Sequence, residues 1–300
     1  MPTAQDVHDH IARLGDMHPP IPLGTVDRTV HDPALVRGRY GHVLNYLARV
    51  ELEVDRNVLE ILTIIPGVEE NDRFFYQDVW QPQEIQHGVI LDALCEDIDL
   101  PAAETEMELH WTYKLLGALA HWRPIQDISR MLFYLTGAAT ERQAVLAYNT
   151  FHQGLTEAGE TAIAESVIGQ IKRQEPGHFA YYRMSAERLA PLLRPWQWFV
   201  ARELRRRTYE LVGTDAMDQY RRDIGGLMVT FDLDQDLAGY AREIGRLEAR
   251  ILWARDKGMQ FPPYILDRMR ESVELYREKG LGTVPARFDL AGHPVVVGQA

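Results

Sequence analysis

Apolar residues recur every three or four positions along most of the chain, the spacing of one buried face of an α-helix. The pattern predicts helices at about 38–65, 73–97, 104–121, 126–153, 159–193, 195–212, 215–229, 235–257 and 263–279. Punctuation falls between them, in PGVEEND (66–72), DLP (99–101), GLTEAGE (154–160) and KGMQFPP (257–263). An alternating strand pattern is suggested only in the tail, HPVVVGQA. The expected organisation is an irregular N-terminal arm with one short helix (1–36), a single all-α domain with a C-terminal helical extension (37–280), and an irregular tail (281–300).

Carboxylates interrupt the apolar stripes. The first long helix reads Leu44, Leu47, Glu51, Val54, Val58, Leu62, Ile65 along one face. The second reads Trp80, Glu84, His87, Leu91, Leu94. The helix over 126–153 reads Tyr134, Ala138, Glu141, Val145, Tyr148, His152, and the next reads Ala164, Ile168, Ile171, Glu175, His178, Tyr182. Four helices therefore each turn a glutamate inward, and two of those glutamates have a histidine one turn further along the same face. In the first helix, Glu53 and Glu60 are alternatives to Glu51; only Glu51 lies on the stripe.

A buried carboxylate without a partner is costly, and four converging ones repel. Two divalent ions resolve both problems. One Glu from each of two helices plus a Glu-x-x-His from each of two others is the ligand set of ferritin-like di-iron carboxylate proteins. The candidate ligands, and with them the candidate catalytic centre, are Glu51, Glu84, His87, Glu141, Glu175 and His178. Mixed imidazole and carboxylate ligation suits iron that meets oxygen, with manganese as the alternative metal. The stretch RQEPGHFAYYR places Pro176 and Gly177 inside the Glu175-x-x-His178 motif. Either the proline kinks a continuous helix so as to aim the pair, or the helix ends and restarts at Pro176.

Composition narrows the remaining choices. A formal net charge of −12 argues against nucleic acid as the partner. A local basic run, Arg202 with Arg205, Arg206 and Arg207, is either a docking patch for an acidic partner or a solvated helix face. The single cysteine, Cys95, leaves no intrachain disulfide and no cysteine-based zinc cage. No run approaches the roughly 20 apolar residues of a membrane span, and the polar N-terminus lacks a signal core, so a cytoplasmic protein is expected. No Gly-x-Gly-x-x-Gly offers a nicotinamide or flavin site, so reducing electrons come from outside the chain.

Three motifs, WQPQEIQHG (80–88), TERQAVLAYNT (140–150) and QEPGHFAYYR (174–183), together resemble the soluble acyl-acyl-carrier-protein desaturases of the ferritin-like superfamily. Trp80 lies four positions before Glu84, and Tyr181, Tyr182 and Arg183 follow His178. The similarity extends by pattern over roughly 40–275. It implies a ferritin-like four-helix bundle with additional C-terminal helices and a two-iron, oxygen-dependent oxidoreductase. It also implies a fatty acyl substrate on a carrier protein or coenzyme A, a ferredoxin-like electron donor, and a homodimer. Two positions depart from the family: Gln174 stands where an acidic residue partners a ligand histidine, and Ala144 where a threonine is common. Two alternatives stay open, the first of them motivated by these departures. One is an N-oxygenase or hydroxylase of another small organic substrate; the other is a non-catalytic ferritin-like metal-binding protein. Tyr148, Phe151, Phe179 and Tyr182 are candidates to line a substrate channel.

Overall fold

The computed structural model describes all residues except 57, 59–67, 104, 106–121, 255, 257, 284–286, 289–293 and 296–300. The expected helix at 104–121, Glu60, and the stripe positions Leu62 and Ile65 lie outside the described residues. Helix α1 spans Ala4–Met17 and α2 spans Pro33–Leu52. Helix α3 runs over 70–97 as Glu70–Arg73, a π-helical segment Phe74–Trp80, and Gln81–Asp97. Helix α4 is Arg123–Glu157. Helix α5 runs over 161–189 as Thr161–Ile163, a π-helical segment Ala164–Ile168, and Gly169–Leu189. Helices α6 (Pro195–Thr208), α7 (Asp218–Thr230), α8 (Leu237–Leu252) and α9 (Pro263–Lys279) follow. Among the described residues the folded body is all-helical. The tail adds a two-residue antiparallel ladder, β1 (Arg287–Phe288) with β2 (Pro294–Val295). No helix among the described residues is long and apolar enough to cross a membrane.

Local chemistry sets the helix boundaries. The Asp32 carboxylate accepts from the Leu35 amide, and Pro33 sits in the first turn of α2, where its missing N–H costs nothing. The helix therefore starts earlier than its apolar pattern suggests. It breaks into a turn at Glu53 rather than continuing unbroken to residue 65. The N-terminal arm is more ordered than expected, because Thr3 and Asp6 cap α1 reciprocally and Val7, Ile11 and Leu14 are buried. Helix α6 ends at Thr208, short of the expected 212, and α8 ends at Leu252, short of 257.

Pro176 lies inside α5 with the helix continuous on both sides, so the restart at Pro176 is not what the chain does. Gly177 serves close approach: a Cβ there would sit 2.3 Å from Leu14 Cδ1 of α1. The Gly177 carbonyl also pairs with His10 Nε2 at 2.8 Å.

Two apolar clusters occupy opposite ends of the α2–α5 bundle. The first contains Val36–Ala48 positions of α2, Ile90–Ile98 of α3, Ala147–Leu155 of α4 and Ile163–Ile171 of α5. The second contains Val54 and Val58, Phe75–Trp80 of α3, Ile128–Ala138 of α4 and Tyr181–Leu189 of α5. The order in which each helix passes between them gives its direction. Helices α2 and α5 run from the first cluster to the second; α3 and α4 run the other way. Adjacent pairs α2/α3 and α4/α5 are thus antiparallel, and the chain between α3 and α4 leaves one end of the bundle and re-enters at the other. All six candidate ligands fall at the seam between the clusters.

Candidate metal centre

Each of the four helices delivers its acidic residue to that seam. Glu51, Glu84, His87, Glu141, Glu175 and His178 are all buried, His87 and His178 completely. Donor atoms of Glu51, Glu84, His87 and Glu175 lie within 4.8 Å of one another, and so do those of Glu84, Glu141, Glu175 and His178. The two sets share Glu84 and Glu175. The shared residues come from the two Glu-x-x-His motifs; the unshared carboxylates come from α2 and α4. Glu53, the alternative to Glu51, is also buried, but it pairs with Arg49 at 3.0 Å and Arg56 at 3.4 Å, away from the seam.

Both histidines turn Nδ1 toward the carboxylates. His87 Nδ1 lies 3.3 Å from both Glu84 Oε2 and Glu175 Oε1, and 3.9 Å from Glu51 Oε2. His178 Nδ1 lies 2.7 Å from Glu84 Oε1, 3.5 Å from Glu141 Oε2 and 3.8 Å from Glu175 Oε2. Their Nε2 atoms face glutamines, His87 to Gln174 Oε1 and His178 to Gln83 Oε1, both at 2.6 Å. The unshared carboxylates are held by aromatic donors. Tyr148 gives its hydroxyl to Glu51, and Trp80 Nε1 donates to Glu141 Oε1 at 3.0 Å.

Glycines let the helices come this close. A Cβ on Gly88 would lie 2.7 Å from Leu52 Cγ, one residue from His87 and one from Glu51. A Cβ on Gly137 would lie 2.2 Å from the Tyr182 ring, one turn from Glu141 and one from His178. A ring cannot fold aside as an aliphatic tip can. Gly137→Ala is therefore expected to destabilise the fold by about 1–3 kcal/mol despite its better helix propensity. Urea unfolding measures this, and an unchanged midpoint would mean that α4 and α5 separate without cost.

Electrostatics marks the cluster as incomplete. Burial, then the charges of Glu84 and Glu175, pushes the Glu51 carboxyl well above its ordinary value. Burial and Glu84 do the same to Glu175. Glu84 is pushed up by burial but is drawn well below its ordinary value by His178, a hydrogen bond with Glu51, and His87. His178 is pushed down by burial and raised further, to well above the ordinary imidazole value, by Glu84 and its contacts with Glu141 and Glu175. Glu84 Oε1, Glu175 Oε1 and His178 Nδ1 are buried without a satisfactory hydrogen bond. Such atoms require protons or cations. Four carboxylates, two neutral imidazoles and two divalent cations sum to zero charge, so the donor set fits a pair of such ions.

Reasoning from sequence singled out these six positions but missed Gln83 and the roles of Trp80 and Tyr148. Gln83 had a signal: Gln-Glu-x-x-His occurs twice, at 83–87 and 174–178. The basic run of α6 is largely consumed internally. Arg205 is buried against Glu248 at 2.9 Å, Arg202 bonds the Leu252 carbonyl, and the exposed Arg206 and Arg207 pair with Glu203. Of the proposed channel residues, Tyr148 and Phe151 are fully buried and Tyr182 covers Gly137. A solvent-open concavity of about 530 Å³ is lined by Pro20, Pro22, Gln81, Pro82, Ile85 and Gln86, none of them a candidate ligand. No protein-family model matches the chain, and no curated protein or solved structure matches it either.

Proposed function

We propose that the protein holds two iron ions in this seam and is an oxygen-dependent oxidoreductase, ferritin-like in architecture, acting on a fatty acyl chain. The observation that carries the reading is the pair of overlapping ligand sets sharing Glu84 and Glu175. Further support comes from the parallel course of α3 and α4, consecutive in the chain, as a bundle with a crossover connection requires. When bound, iron would supply the oxygen-activating redox chemistry, with reducing electrons drawn from an external donor. The chain's own residues do the rest. Glu84 and Glu175 would contribute to both sets of donors, with Glu51 and His87 completing one set and Glu141 and His178 the other. The apolar clusters on either side exclude water from the seam.

The acyl substrate, on a carrier protein or coenzyme A, and an external ferredoxin-like electron donor follow from the resemblance of the three motifs to the acyl-carrier-protein desaturases. Gln174 and Ala144 favour a second reading, oxygenation of a different organic substrate, because neighbours of metal ligands tune oxygen chemistry.

Metal content and optical absorption test the centre. Protein from iron-supplemented growth is expected to carry about two irons per chain, with a near-ultraviolet oxo-bridge band absent from the Glu84→Ala/His178→Ala double variant. Wild-type protein that stays metal-free after anaerobic reconstitution with ferrous ion would overturn the reading, and manganese in place of iron would correct the metal. Product analysis with acyl thioesters and with amines, under a chemical reductant, then separates desaturation from oxygenation.

A further inference from the structure

The two glutamines beside the Glu-x-x-His motifs form a second layer with its own logic. Gln174 Oε1 meets His87 Nε2 and Gln83 Oε1 meets His178 Nε2, so each motif's glutamine serves the other motif's histidine. Both amide nitrogens turn to the same place in the N-terminal arm. Gln174 Nε2 donates to the Pro19 carbonyl at 2.9 Å and the His18 carbonyl at 3.3 Å, and Gln83 Nε2 donates to the His18 carbonyl. A main-chain carbonyl only accepts. The amide nitrogens must therefore face the arm and the amide oxygens must face the imidazoles. An amide oxygen in turn requires a proton on Nε2, so Nδ1, facing the carboxylates, is the nitrogen that sheds its proton when the imidazole becomes a ligand.

We propose that His18 and Pro19, acting through Gln83 and Gln174 as positioning residues, set the tautomer of both histidines, and that docking of the arm is coupled to metal binding. The coupling rests on the metal-centre reading; the tautomer assignment does not. The proposal explains why glutamine stands at both positions. A carboxylate accepts from imidazole equally well, but it has no N–H for the arm carbonyls and would turn lone pairs against them. The arm is anchored where coupling needs it. Helix α1 packs chiefly on α3 and α5, the two helices bearing the motifs. Leu14 lies over Gly177, His10 bonds the Gly177 carbonyl, and Asn71 of α3 donates to the Ala4 carbonyl at 2.8 Å. Two sites that share such a path affect each other equally: whatever holds the arm down tightens the metal, and metal tightens the arm.

Zinc-loaded full-length protein, which is diamagnetic, permits the test by nitrogen-15 NMR of the histidines and by amide hydrogen exchange of α1. Both histidines are expected to show Nδ1 bound to zinc and an exchange-protected Nε2–H. Gln174→Leu is expected to lose that protection at His87, and Gln83→Leu at His178, each with about 10–100-fold weaker zinc binding. Gln174→Glu keeps the acceptor for His87, so it retains the His87 Nε2–H signal while α1 exchange rises about tenfold, a split that general destabilisation would not produce. Zinc is expected to slow α1 exchange in wild type and not in the Leu variants. Zinc on Nε2, or α1 exchange indifferent to zinc in a protein that binds it, would overturn the proposal. If zinc does not bind, the metal-centre reading fails by itself. The metal-free spectrum then decides the tautomer claim, which falls if neither Nε2–H is protected.

Discussion

Replacing Glu84 or Glu175 with alanine is expected to abolish stoichiometric binding of both divalent ions, whereas replacing Glu51 or Glu141 removes only one. The difference follows from membership of the two ligand sets. Glu84 and Glu175 belong to both, and each unshared carboxylate belongs to one. Losing a shared residue takes a donor from both sets; losing an unshared one leaves a complete set at the other end. Anaerobic titration with cobalt(II), followed by its ligand-field absorption and by metal analysis, reads the stoichiometry directly. Two ions per chain in Glu84→Ala would show that the glutamate is a neighbour and not a bridge. Both ions lost from Glu51→Ala would show that the two positions fill only together.

The second large effect concerns the metal-free protein, which is expected to melt at a higher temperature at about pH 5.5 than at about pH 8, the reverse of the metal-loaded form. Glu51 and Glu175 have folded values raised well above the ordinary 4.5. Each therefore contributes stability that is complete below 4.5 and lost as pH rises through its folded value. His178, raised above 6.5, contributes in full below that value and loses its contribution higher still. Glu84, depressed below 4.5, loses its contribution only as pH falls below the ordinary carboxyl range, outside this window. Within the cluster every change inside the window thus runs the same way, while His10 and His42, held below the ordinary 6.5 chiefly by burial, oppose it. A shift of one unit corresponds to about 1.4 kcal/mol, and each kcal/mol to about 2–4 °C in a domain of this order of size. Bound metal replaces the shared protons, so acid competes with it and the slope inverts. Calorimetry with and without chelator checks both slopes. A metal-free protein that stabilises with rising pH would mean the carboxylates are ionised and satisfied without metal.

The sequence exposed the seam because burial of a carboxylate is rare enough to stand out against an apolar stripe. The described stripe positions are buried as expected around Glu51, Glu84, Glu141 and Glu175, except His152, which is half-buried beside the exposed Glu165. Burial alone did not separate ligand from non-ligand, since Glu53 is as buried as Glu51; the arginines on either side of Glu53 distinguish the two. Two features were beyond a periodic reading. The π-helical segments Phe74–Trp80 and Ala164–Ile168 each precede a Glu-x-x-His, and a wider turn rotates everything after it without leaving a mark in composition. The arm was read as irregular because prolines and histidines dominate it. Its value lies in main-chain carbonyls, and every residue has one.

The helix pairs α2/α3 and α4/α5 repeat one plan, yet their end carboxylates are held differently, Glu51 by the phenol of Tyr148 and Glu141 by the indole of Trp80. An indole N–H only donates, so Glu141 is pinned in one orientation. A phenol O–H swings about its bond, and its oxygen accepts as well as donates. The Glu51 end is therefore the one whose carboxylate can turn with its hydrogen-bond partner following it. Asymmetry enters through two hydrogen bonds, leaving the ligands themselves matched.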